Sequence, residues 1–231
     1  DPETTDDDWA VNQKMRLYIN EGSDGSFKMN EAAEVHGIAN QMENRGAMSW
    51  DFDNDGFGDI ALGWFNPRIA HLYGFSKNSS GVVYFNDGNN DWTKRQFVEL
   101  PESFFGDNGN ANDMEVLDFN NDGYVDILLA STIHEPYYHS RVIQFFQNEQ
   151  GESFVDVTSS LSPDHEKYAN GNPYSGWWVG QGKLHIIDYD HDGDLDIVDT
   201  NNSIEDLNAK SLELSEIESV EIISVLIVAK S

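Results

Sequence analysis

Three stretches of this chain put oxygen-bearing side chains at a density that needs an explanation. They read "DFDNDGFGDI" (51–60), "DFNNDGYVDI" (118–127) and "DYDHDGDLDI" (188–197). Each places carboxylate or amide oxygens at positions 1, 3 and 5 of a nine-residue loop, another aspartate at position 9, and a glycine at position 6. Like charges this close repel, and each carboxylate makes the ionisation of its neighbours harder. A cation is the simplest compensation. Hard oxygen donors at this spacing suit Ca²⁺, which accepts six to eight oxygens in flexible geometry. The side-chain ligands would be Asp51, Asp53, Asp55 and Asp59; Asp118, Asn120, Asp122 and Asp126; and Asp188, Asp190, Asp192 and Asp196. Position 7 would add the backbone carbonyls of Phe57, Tyr124 and Asp194. Glycine at position 6 lets the chain turn sharply around the ion.

Two other readings compete. An EF-hand loop requires a bidentate acid at position 12 and flanking helices. Position 12 here is Leu62, Leu129 and Asp199, and the flanks have strand character. An acidic surface loop without metal accounts for one such segment more easily than for three in register.

The elements that position these loops follow from the repeat. The first aspartates are 67 and 70 residues apart. A second pattern recurs out of phase with the first: "RLYINEGSDGSF" (16–27), "VVYFNDGNNDW" (82–92) and "VIQFFQNEQGESF" (142–154). Each is an apolar run, a polar turn and a closing aromatic. Short apolar runs also flank the acidic loops, with "AMSW", "MEVL" and "LHII" before them and "DIALGW", "DILLAS" and "DIVDT" after. Apolar runs bounded by Asp, Asn and Gly are strand signals, and Asn-Asp-Gly between two runs signals a hairpin turn. A repeat of this length takes precedence over other fold readings. Each unit is then four antiparallel strands: A, acidic loop, B, long loop, C, polar turn, D. Such units in tandem indicate an all-β chain of β-propeller blades.

The D-x-[DN]-x-D-G-x-x-D loops opening into "DI", with hairpins such as "LYINEGSDGSF", resemble the FG-GAP/VCBS repeat family. That family includes the calcium-binding blades of integrin α-subunits and many secreted bacterial proteins. The resemblance implies a propeller fold and calcium. It leaves function open, because the repeat serves adhesins, lectins and lyases alike.

The resulting organisation is an acidic lead (1–15), propeller blades (16–202) and a tail (203–231) that lacks the Gly, Asn and aromatic content of the rest. The blade region starts with a C–D hairpin at 16–29 and continues with complete blades at about 47–98 and 114–157. The A and B strands of a third follow from about 183, with a tail strand at 220–228. That is about three blades' worth of strands, an incomplete ring, so further blades from the same or another chain are expected partners.

Composition sets outer limits. A formal net charge of −29 excludes a nucleic-acid reader, which needs a basic face, and disfavours docking on anionic lipid. No run of about eighteen apolar residues spans a membrane. No cysteine is present, which removes disulfides and thiolate metal sites. An acidic start without methionine fits removal of an upstream signal peptide and a secreted or cell-surface location.

In a propeller the A–B loops and C–D turns share one face, and the B–C and D–A connections share the other. The second set is long here: 64–75 and 132–140 for B–C, 99–113 and 162–182 for D–A. They bring Trp64, Arg68, His71, His134, Tyr137, Tyr138, His139 and Trp177 to that face as candidate ligand-binding residues, aromatic platforms with polar neighbours that suit sugar rings. The expected function is a calcium-binding extracellular recognition or adhesion module for a glycan or protein ligand. A polysaccharide lyase on the same scaffold, or a structural repeat of a surface layer, are the alternatives. No spacing specifies a nucleophile–base pair, so no catalytic residue is assigned.

Overall fold

The computed structural model describes residues 15–23, 25–33, 44–89, 97–133, 141–161, 183–193 and 195–199. The acidic lead up to residue 14, the tail with its expected strand at 220–228, and the loops 134–140 and 162–182 lie outside the described residues.

Twelve strands are described, every pairing antiparallel. A hairpin comes first, β1 (Tyr18–Asn20) with β2 (Met29–Glu31). A four-stranded blade follows: β3 (Asn44–Trp50), β4 (Asp59–Trp64), β5 (Gly81–Tyr84) and β6 (Val98–Glu99), paired in that order. The second blade is β7 (Gly109–Leu117), β8 (Asp126–Ile133), β9 (Arg141–Asn148) and β10 (Phe154–Asp156). A pair, β11 (Leu184–Ile187) and β12 (Asp196–Asp199), ends the series. These are the blades expected from the repeat: sheets in succession, with no closed barrel among the described residues.

Side-chain alternation explains how the sheets stack. On β8, Ile127 and Leu129 enter a core shared with the first blade, which holds Phe52, Val83, Phe85 and Met114. Leu128 and Ala130, pointing the other way, enter a core with Leu184 and Ile197 of the last pair. A third core joins Leu62, Trp64 and Val82 to Ala33, Leu17 and Met15 beside the first hairpin. The second blade is therefore apolar on both faces, and its B strand reads as a continuous apolar run for that reason. Each fully buried Leu or Ile contributes about 1.5–3 kcal/mol.

The A strands lie side by side, β3 against β7 and β7 against β11. Asp113, buried on β7, fixes the second of these contacts by accepting the Leu184 N–H and the Lys183 ammonium, each at 2.7 Å.

Two expectations shift. The sequence places residues 109–113 in a D–A loop, but they form the start of β7. Their Asn and Asp content signals a loop, yet the segment pairs with Ile133 to Ala130 and absorbs its irregularity as a bulge between Ala111 and Asp113. Phe27, expected to close the first hairpin, is 80% exposed, and β2 starts two residues later.

Candidate metal centre

The three acidic loops run between strands A and B: Asp51–Asp59 links β3 to β4, Asp118–Asp126 links β7 to β8, and Asp188–Asp196 links β11 to β12. Their backbones are near copies. Position 4 is left-handed in each, with φ of 59° at Asn54, 57° at Asn121 and 61° at His191. Asn and His are among the residues that tolerate this region. Position 6 has φ of 94°, 92° and 95° at Gly56, Gly123 and Gly193, where any other residue would be strained.

The turn winds backbone N–H groups around the first carboxylate. Asp51 accepts from Asp55 N–H (3.0 Å) and Gly56 N–H (2.9 Å). Asp118 accepts from Asp122 (3.1 Å) and Gly123 (2.9 Å), and Asp188 from Gly193 (3.2 Å). Position 3 accepts from the position 5 N–H through Asp53 (3.2 Å), Asn120 (3.0 Å) and Asp190 (3.2 Å). The loop thus takes its shape from its own side chains.

Two of the loops bring three carboxylates together. One oxygen each from Asp51, Asp53 and Asp59, and one each from Asp188, Asp190 and Asp196, lie within 4.8 Å of one another. Asp118 and Asp126 occupy the same places in the middle loop, with the Asn120 amide as the third donor, and Asn120 Nδ2 also donates to Asp122 (2.9 Å). Asp55 and Asp122 accept the position 7 N–H, from Phe57 (2.9 Å) and Tyr124 (2.8 Å). Asp55 and Asp192 stand outside the two tight triplets, and Asp194 lies outside the described residues.

The donor set fits a hard cation. Every clustered side-chain donor is a carboxylate or amide oxygen, the set preferred by Ca²⁺ over softer metals. Asp188 Oδ1 is buried with no hydrogen-bond partner among the described residues. A bound ion would satisfy it, and burying such an atom without one is costly.

Position 9 has a second role that the sequence did not show. Asp59 is fully buried and accepts two backbone N–H groups, from Phe52 (2.8 Å) within its loop and from Asn86 (2.8 Å) after strand C. Asp126 repeats this with Phe119 (3.0 Å) and Asn148 (2.8 Å), and Asp196 accepts from Tyr189 (2.8 Å). Burial pushes the carboxyls of Asp59 and Asp126 up to about 6, although the two N–H donors pull the other way and the neighbouring aspartates add to the rise. These contacts also place the A–B loops and the turns after strand C on the same face. Asn86 and Asn148 were legible only as turn residues. Their constant place after the apolar run of strand C, in "YFNDG" and "FFQNEQG", was the available signal.

The opposite face is built from the B–C and D–A segments. A 3-10 turn at Pro67–Tyr73 packs against another at Gly106–Asn108, tied by Ser103 N–H to Asn78 O (2.9 Å) and by Lys77 to Asp107 (3.0 Å). Arg68 and His71 are exposed there. Trp64 is not. It ends β4 fully buried, with its ring 5.0 Å from that of Phe75, because it belongs to the strand and the connection starts only after it. His134, Tyr137, Tyr138, His139 and Trp177 lie outside the described residues.

Comparison with curated proteins finds no match. The FG-GAP-like repeat matches residues 51–129 and again 118–198, two overlapping copies that begin on acidic loops and together cover more than half of the chain. The motif, the four-stranded blades and this match agree, and the chain belongs to the FG-GAP-like repeat family.

Proposed function

We propose that the chain is a calcium-stabilised extracellular recognition module, binding a glycan or protein through the face opposite its acidic loops. One observation carries the calcium reading: clustered oxygens in loops of the same backbone form, with a buried unpaired carboxylate oxygen at Asp188. FG-GAP repeats often bind calcium and are typical of extracellular proteins. No helix among the described residues is long and apolar enough to cross a membrane. The ion is structural in this reading. The clustered carboxylates come from the A–B loops, and the segments carrying Arg68 and His71 sit at the other end of the strands.

Calorimetric titration of chelator-treated protein with calcium tests the first half, with about three sites per chain expected. Retention on immobilised neutral and anionic polysaccharides tests the second. Arg68→Ala and His71→Ala should weaken retention and leave calcium affinity unchanged. Binding of calcium with retention of nothing on the panel would favour a structural repeat instead.

A further inference from the structure

The loop of the first blade, Asp51–Asp59, does not stand alone: the second blade builds one wall of it. Asn148 ends β9 and is fully buried. Its Nδ2 donates to Val125 O in its own blade (2.9 Å) and to Phe52 O in the first blade's loop (2.8 Å). Its Oδ1 accepts the Gly151 N–H (2.8 Å), which sets the turn between β9 and β10. Gly151, left-handed with φ of 77°, lies directly against Asp53: a Cβ there would be 2.5 Å from Asp53 Cβ and 2.9 Å from its Cα. Asn148 thus holds the carbonyl of the peptide that leads into Asp53, and Gly151 packs on that residue's backbone and Cβ. A third contact crosses at the tips, where Asn54 Nδ2 donates to Gly123 O (2.9 Å) in the neighbouring loop.

We infer that the divalent-cation site of loop 51–59 is an inter-blade site, with Asn148 and Gly151 of the second blade as positioning residues for its ligand Asp53. This rests on the reading that the loop holds a cation. Asn148 serves its own blade through Asp126 and Val125. The further contacts to Phe52 and Asp53 give the same turn a hold on the neighbouring site. Losing a group that orients a ligating side chain typically costs about 10–100-fold in metal affinity. By linkage, a cation in this loop also strengthens the contact between the two blades.

Calcium titration of the intact chain labelled at glycine decides the matter, because Gly56, Gly123 and Gly193 each donate an N–H to the first carboxylate of a different loop. In Gly151→Ala, the calcium midpoint read at Gly56 should rise about tenfold or more while that at Gly123 moves less than about twofold. A shift at Gly123 without one at Gly56 would show that the turn serves only its own blade, and the inference falls. Equal midpoints in the variant and the parent protein overturn it as well. If no glycine amide titrates even in the parent protein, the calcium reading itself fails and this inference with it. Should Gly151→Ala not fold, Asn54→Gly keeps the left-handed backbone and removes only the amide. It should raise the Gly56 midpoint by about twofold or more, the worth of one hydrogen bond. An unchanged midpoint there counts against the inference.

Discussion

A single aspartate shows how tightly shape and charge are joined in this protein. Asp59 was legible in the sequence as a cation ligand, since it stands at position 9 of a recognisable loop. Its acceptance of N–H groups from Phe52 and Asn86 was not, because Asn86 lies 27 residues away with nothing local to mark the pairing. Asp59→Asn leaves one oxygen for two donors and turns an amide N–H₂ toward the other. It should cost about 1–3 kcal/mol in urea unfolding. Titration gives a sharper test. The Asp59 carboxyl has a folded pKa of about 6 against an ordinary value of 3.8. Between those pH values the folded chain binds more protons than the unfolded one, so the Asp59 contribution to stability falls as pH rises through that window and is level above it. In chelator, the stability advantage of the parent protein over Asp59→Asn should therefore shrink from about pH 4 to about pH 6. Calcium requires the ionised form, so the rise in Tm that it produces should grow over the same range. An advantage that widened with pH in chelator would show that Asp59 is not held neutral by its surroundings.

At the scale of elements, strands and turns were legible because polar turn residues bracket short apolar runs. Two of the three misreadings share a cause, namely that composition is a poor guide where a strand continues into a connection. Asn110, Asn112 and Asp113 look like loop residues and lie buried in β7. Trp64 looked like the first aromatic of a binding loop, and it is the last residue of β4, enclosed by the core of the first blade. Trp64→Ala should accordingly destabilise the protein by about 3–5 kcal/mol, as removal of a large buried ring does. Arg68→Ala and His71→Ala, exposed on the adjoining 3-10 turn, should stay within about 0.5 kcal/mol of the parent protein. Denaturation in saturating calcium separates the two groups. A stability loss for Trp64→Ala as small as theirs would mean that the ring does not fill the core.

For the whole molecule, the order of blades was legible from the 67- and 70-residue spacing of the loops, but the way β8 feeds a different core from each face was not, because its residues read as one apolar run. The contact of one blade's turn with the next blade's acidic loop was not, since Asn148 and Phe52 are 96 residues apart and neither carries a pattern that names the other. The acidic loops are also only part of a larger electrostatic problem. A chain of net charge −29 repels itself, and compaction brings those charges together. Two remedies predict different behaviour. Diffuse screening acts through ionic strength alone, with a Debye length of about 10 Å at 0.1 M salt, and does not distinguish one divalent ion from another. Site binding acts by mass action on the folded state and depends on cavity size and ligand number. In chelator, added sodium chloride should raise Tm modestly as self-repulsion is screened. Millimolar calcium at matched ionic strength should raise it well beyond that, and magnesium, which holds its waters and demands strict octahedral geometry, should fall short of calcium. If calcium, magnesium and ionic-strength-matched sodium chloride gave the same Tm, the loops would be sites of general charge density, and the ions would stabilise the fold by screening alone.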